Sequence, residues 1–272
     1  MSAKQKGEPA EQHVKFSCTV SYLDTFIDSV DSFRDEGKLV FTEDNVYTKV
    51  NDPANVAMCI SRIKGQALNN LEVNGADELS VGVDFGRMLD CLSTVSNTSD
   101  LEVTWPIDDG GAHLMRIDVI DDDVEFDIPT LDPSTVPALS GVDPLSHRSQ
   151  VRVGGSELKK AVQQAGTMIG SDGRGIEFET YGETLAMSSS DQTEGKFRKE
   201  FHNHDPSVEE GLGEHITSIS IDYLEDIKNI FTKGQSVTVH VKEDHPVRFD
   251  IDLDEAGDAQ VIYIIAPRLD TN

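Results

Sequence analysis

Apolar and polar positions alternate along most of the chain. Val14, Phe16, Cys18 and Val20 are each separated by one polar residue, the period of a half-buried strand. Similar runs predict strands at Lys38–Phe41 and Val46–Val50, either side of a polar turn at Thr42–Asn45. More follow at Val56–Ile63, Leu79–Val83, Leu101–Trp105, Leu114–Ile120 and Val124–Ile128. The second half predicts strands at Gln150–Val153, Ile176–Tyr181, Thr184–Ser188, Lys196–Phe201, Ile216–Ile221, Val237–Val241, Val247–Ile251 and Ala259–Ile265. Helical spacing occurs at Tyr22–Phe33, Phe85–Val95, Ser156–Ile169 and Tyr223–Phe231. The expectation is a mostly β chain with two short helices in each half.

The halves resemble each other. Val20 to Leu23 with Phe26 and Ile27 precede Val153 to Leu158 with Ala161 and Val162 by about 135 residues. Val83, Asp84 and Phe85 with Leu89 and Leu92 precede Ile221, Asp222 and Tyr223 with Ile227 and Ile230 by about 138. The strands that follow, at Leu101–Val103 and Val237–Val239, match as well. Three matches in one order predict a duplicated β-rich domain, at 14–128 and 150–272. Between them, 129–149 holds Pro129, Pro133, Pro137 and Pro144, which preclude a helix and disfavour a central strand. It reads as an extended connector, and residues 1–13 as a disordered arm.

Composition changes this picture in one respect. The 272 residues include 50 acidic and 23 basic side chains, a formal net charge of −27. The excess is spread over the whole length, which fits a folded, highly charged surface rather than a tail. Such a chain repels nucleic acid and anionic membranes at ordinary salt, and its Asp-rich, Lys-poor character fits a protein of an extreme halophile. No apolar run approaches the roughly 20 residues of a membrane span, and the polar start has no secretory apolar region. Cys18, Cys59 and Cys91 lack CxxC spacing and suit a reducing compartment.

Four segments are more specific. Asp52-Pro-Ala-Asn-Val-Ala-Met58 follows a predicted hairpin, and Ile221-Asp-Tyr-Leu224 opens the last helix. His245-Pro-Val247 precedes a strand, and Tyr263-Ile-Ile-Ala-Pro-Arg-Leu269 closes the pattern. In this order and spacing, over Val14 to Leu269, the chain resembles the archaeal and eukaryotic sliding clamps, the proliferating cell nuclear antigen family. The resemblance implies an α+β DNA-clamp fold and a homotrimeric ring that encircles duplex DNA, helices lining the hole. It implies a processivity factor for DNA polymerase and a docking platform for the clamp loader and other proteins with the PIP motif. It implies no catalytic activity and no cofactor.

The implied sites fall on particular residues. DNA-facing cations would be Arg87, Lys159, Lys160, Lys228 and Lys233, a thin set beside Asp24, Asp28 and Asp31 on the first helix. In high salt, phosphate contacts add little affinity, so retention by encirclement is expected. The partner-peptide pocket would comprise Val56, Met58, Val136, Leu139, Pro246, Ile264, Ala266 and Pro267, with Ile264 replacing a common aromatic. Subunits would join edge to edge, Glu125 and Asp127 of one strand facing Lys196, Arg198 and Lys199 of the other. Phe197 and Phe201, on one face by period 2, would supply the apolar part.

Other chemistry is weakly signalled. Ser156-Glu-Leu-Lys159 fits S-x-x-K, without the companion motifs of penicillin-recognising enzymes. His202, His204, Asp205 and His215 lack metal-ligand spacing, Asp121–Asp123 reads as a charged turn, and Gly170–Gly175 lacks a phosphate-loop ending. A metal-dependent hydrolase is a remote alternative. An accessory or heterotrimeric clamp-like subunit is a nearer one. The expected setting is a high-salt archaeal cytoplasm, cell- or virus-encoded.

Overall fold

The computed structural model describes residues 12–109, 112–136, 149–169, 175–191, 195–202 and 212–268. They form two compact units. The first takes its described residues from 12–31, 35–48 and 62–136, and the second from 32–34, 49–61 and 149–268. Two short pieces of the first half thus group with the second.

The elements of the first half are β1 (His13–Thr19), α1 (Val20–Asp31), β2 (Glu36–Phe41), β3 (Asn45–Asn51), β4 (Ala57–Lys64), β5 (Asn69–Asn74), β6 (Leu79–Asp84), α2 (Phe85–Leu92), β7 (Asp100–Asp109), β8 (Ala112–Val119) and β9 (Val124–Pro129). In the first unit one sheet runs β5-β1-β7-β8-β9, and β6-β2-β3 forms another run of neighbours. Leu23, Phe26, Ile27 and Val30 of α1 are buried, as are Phe85, Met88 and Leu92 of α2. Burying these faces, at about 25 cal/mol per Å² of apolar surface, is what holds such short helices. Asp84 caps α2, its carboxylate accepting the Arg87 N–H at 2.8 Å.

The second half supplies β10 (Ser149–Gly154), α3 (Gly155–Ile169), β11 (Gly175–Gly182), β12 (Thr184–Asp191), β13 (Gly195–His202), β14 (Leu212–Ser220), α4 (Ile221–Ile227), β15 (Ser236–Val241), β16 (Val247–Asp252) and β17 (Ala259–Ile265). Within the second unit, β13-β12-β11-β14 form one sheet, and β10-β15-β16-β17 a run of neighbours continued by β4. Leu158, Ala161, Val162 and Ala165 of α3 are buried with Ile221, Leu224 and Ile227 of α4. Phe178 meets Phe249 edge-on at 5.7 Å.

The order of elements is similar in the two halves, but some bounds differ from expectation. β5 was not expected: three Asn in Asn69–Asn74 mask a weak alternation of Leu71 and Val73. The predicted strand Ile216–Ile221 instead spans Leu212–Ser220, because Ile221 begins α4. That helix ends at Ile227, and the chain continues as turns to Ile230. His13, expected in the arm, opens β1.

The connector begins inside the first unit. Leu131 bridges to Gly82, donating its N–H to the Gly82 carbonyl at 2.8 Å. A Cβ on Gly82 would sit 2.7 Å from the Leu131 carbonyl oxygen, so the approach depends on glycine there. Residues 1–11 of the arm and 137–148 of the connector lie outside the described residues.

Candidate functional site

The turn between β3 and β4 is organised by one carboxylate. Asp52 Oδ1 accepts the N–H groups of Val56 and Ala57, each at 2.7 Å, and Oδ2 accepts that of Ala54 at 3.1 Å. Tyr223 donates its hydroxyl to Oδ2 at 2.8 Å. Burial works to raise the Asp52 pKa, but the Ala57 amide, the Tyr223 hydroxyl and the other amides outweigh it and hold the group below the ordinary carboxylate value. The Tyr223 phenol is pushed up to about 12 by burial and by the adjacent Asp52, so it stays a donor. The motif that pointed to a family is thus an amide-saturated turn.

This turn meets the chain's last described segment. Ala266 donates its N–H to the Val56 carbonyl at 2.8 Å. Along β17, Val261, Tyr263 and Ile265 are fully buried while Ile262 and Ile264 are half-buried on the opposite face. Along β4, Ala57 and Cys59 point inward, leaving Met58 and Ile60 half-buried on the other side. Neighbouring strands therefore carry an outward stripe of Met58, Ile60, Ile262 and Ile264. Val56 is 37% exposed, and Pro246, Ala266 and Pro267 are half-buried. Six of the eight expected pocket residues are described residues of the second unit. Val136 falls in the first unit and is 6% exposed. Leu139 lies outside the described residues. Ile60 and Ile262 were not anticipated, although period 2 counted from Met58 and Ile264 finds both.

The stripe has a charged border on β16. Arg248 pairs across the ladder with Ile264, and Asp250 with Ile262. Arg248 donates twice to Asp250, at 2.5 and 2.8 Å, and His240 Nε2 lies 3.0 Å from the same carboxylate. Burial pushes the Asp250 pKa up, but His240 and Arg248 prevail and hold it low.

The two expected edge strands, β9 and β13, each end their sheet. On β9, Asp127 is gripped by Arg116 through two bonds of 2.7 Å, and Glu125 lies 3.0 Å from the same guanidinium. On β13, Arg198 donates to Tyr181 at 3.1 Å, Glu200 at 3.1 Å and Glu179 at 3.2 Å, all within its own sheet. Lys199 stands 5.4 Å above the Phe201 ring, and Lys196 is exposed. Phe201 is only 2% exposed, because its face of β13 packs on α3. The expectation that it offers apolar surface at an edge is therefore corrected, and Phe197, half-buried, remains.

The four helices carry eight acidic and three basic side chains. Arg87 and Lys160 are exposed, Lys159 is half-buried, and Lys233 is exposed in a turn beyond α4. Lys228 is paired with Glu225. Burial raises the pKa values of Asp24, Asp28, Asp31 and Asp226, with neighbouring carboxylates adding to three of them.

Among the described residues no group of three or more His, Cys, Asp and Glu is placed to hold a metal ion. His202 contacts Thr184 and is exposed, while His204 and Asp205 lie outside the described residues. Asp121 and Asp122 accept backbone amides of Asp100 and Ser96, at 2.9 and 3.0 Å, as turn residues do.

No family model matches the chain. It is 28% identical over 258 residues to the DNA polymerase sliding clamp of Methanosarcina mazei, covering 95% of this chain and 99% of that one. The structure of Archaeoglobus fulgidus PCNA bound to the C-terminal region of FEN-1 superposes with a TM-score of 0.80 at 24% identity, over 95% and 100% of the two chains. The PCNA of Thermococcus kodakaraensis gives 0.78 at 20% identity, over 95% and 100%. The fold is that of PCNA.

Proposed function

We infer that this chain is the subunit of a DNA sliding clamp, a non-enzymatic ring that encircles duplex DNA, confers processivity on a polymerase and docks other replication and repair proteins. The observation that carries this reading is the end-to-end correspondence, in sequence and backbone, with archaeal sliding clamps. Three copies would close the ring through β9 of one subunit and β13 of the next, since each strand leaves one side of its sheet unpaired. Retention comes from topology. A surface with eight acids to three bases on its helices offers phosphates little, and counterion release yields less still as salt rises.

Partner peptides dock on the outward stripe of Met58, Ile60, Ile262 and Ile264, flanked by Val56, Pro246, Ala266 and Pro267. The relative crystallised with the C-terminal region of FEN-1 supports peptide docking as the mode. Two or three apolar anchors, at about 25 cal/mol per Å², suffice for micromolar binding after ordering costs. The net charge of −27 supports work in the concentrated salt of an archaeal cytoplasm.

Light scattering in molar potassium chloride should give about 90 kDa, three times 29.8 kDa. Primer extension by an archaeal polymerase should gain length on circular template and lose that gain on linear template with free ends, from which a ring slides off. A monomer at all salts and micromolar concentrations would favour an accessory or heteromeric subunit. Equal stimulation on both templates would overturn encirclement.

A further inference from the structure

Two walls border the apolar stripe: the turn after Asp52, and β17 with its exit through Ala266. Tyr223, on α4, stands behind both. Its hydroxyl donates to Asp52 Oδ2 at 2.8 Å, and Asp52 in turn holds the amides of Ala54, Val56 and Ala57. Asp52 is 6% exposed. A carboxylate so enclosed keeps its charge only when donors saturate it. Within the turn, Asn55 adopts φ of +57°, a left-handed conformation that asparagine enters readily in turns.

The ring of Tyr223 acts on the other wall. It meets Phe33 edge-on at 6.2 Å and 81°, and Phe33 meets Tyr263 at 5.5 Å and 78°. Phe33 and Tyr263 are buried. Tyr263 is the inward neighbour of Ile264 on β17.

We propose that Tyr223 is a positioning residue for partner docking, its hydroxyl fixing through Asp52 the turn that presents Val56, and its ring backing, through Phe33, the strand that presents Ile264. This rests on the docking reading above. Without the hydroxyl, Oδ2 keeps only the 3.1 Å amide of Ala54. The carboxylate then turns toward water, and the Val56 and Ala57 amides on Oδ1 lose their fixed acceptor. Val56, 171 residues away in sequence from its organiser, becomes mobile. The ring contacts survive in Tyr223→Phe, so the two routes separate.

The test uses the full chain in molar potassium chloride and a labelled synthetic peptide bearing aliphatic and aromatic anchors. Tyr223→Phe should weaken binding about tenfold, the lower end of what one hydrogen bond to a charged group is worth. Asp52→Asn should weaken it at least as much. The double variant should be no worse than Asp52→Asn alone, because both act through one contact. Amide exchange should quicken at Val56 and Ala57 and stay unchanged at Val239 in β15, a pattern that general loosening would not give. Wild-type binding with Tyr223→Phe within twofold of it, or additive losses, overturns the positioning role and leaves the docking reading standing. A wild-type protein that ignores the peptide overturns both.

Discussion

Arg116 holds Asp127 by two parallel hydrogen bonds of 2.7 Å, directly across the β8–β9 ladder. The guanidinium depresses the Asp127 pKa by that hydrogen bonding. The outer row of β9 is therefore partly neutralised from within its own sheet. Arg198 on β13 is likewise held by Tyr181, Glu200 and Glu179. Residues that looked like free partners across an interface are largely occupied at home.

The charges left most open for assembly are Glu125, whose side chain is 49% exposed although it also touches Arg116, and Lys196, which has no ion pair among the described residues. Glu125→Lys or Lys196→Glu alone should weaken trimer formation about tenfold below molar salt. The two exchanges together should restore it, and molar potassium chloride should erase all differences. Light scattering across a dilution series reads each case. Loss without rescue would mean that these side chains do not meet.

The ion cluster on β15 and β16 makes a separate prediction about stability. Asp250 takes two bonds from Arg248 and one contact from His240, which is 7% exposed. Asp250→Ala should cost about 2 kcal/mol, since it removes the acceptor of both Arg248 hydrogen bonds on a half-buried face. Because the folded pKa of Asp250 is depressed, its contribution is present above the unfolded carboxylate value and is lost as pH falls through the folded one. The difference in Tm between variant and wild type should therefore close on acidification below about pH 4. A constant difference down to pH 2 would remove the ionic explanation.

Much of this architecture was legible because period 2 and period 3.6 are physical consequences of burial on one face. Val14, Phe16 and Cys18 are all buried, as their alternation required. What the pattern could not carry was contact between distant positions. Asp52 and Tyr223 are 171 residues apart, and nothing local at either predicts the bond. Phe201 misled for a related reason. Its spacing from Phe197 fixes a shared face but does not say that α3 covers it. Ile60 and Ile262 lie just outside the motif segments, and only the alternation of their strands marks them.

The DNA-facing expectation divides similarly. Lys160 is exposed and has no ion pair among the described residues, whereas Lys228 is paired with Glu225. Lys160→Glu should reduce clamp-dependent primer extension severalfold at about 0.2 M salt and leave it unchanged in molar salt. Lys228→Glu changes the local charge by the same two units and leaves Glu225 without its cation, so it should reduce extension by a similar factor at low salt. No loss from either exchange at about 0.2 M salt would remove these lysines from the DNA-facing set.

Helix acidity gives the last prediction. Burial raises the Asp31 pKa first, and Asp35, Asp28, Asp84 and Asp90 raise it further. A carboxyl whose folded pKa lies above its unfolded value makes the native state bind protons more readily. Its cost is complete at neutral pH and fades as pH falls through the folded value. The like-charge part, unlike the burial part, is screened by salt. Asp31→Asn should accordingly stabilise the protein by about 0.5 kcal/mol in dilute buffer, a figure reduced for the side chain's partial exposure. That gain should shrink in molar potassium chloride, where wild type itself should melt higher. Thermal unfolding of both proteins at two salts and two pH values separates the burial part from the like-charge part. A gain that persists undiminished in molar salt would assign it to burial alone and sever the link between helix acidity and salt dependence.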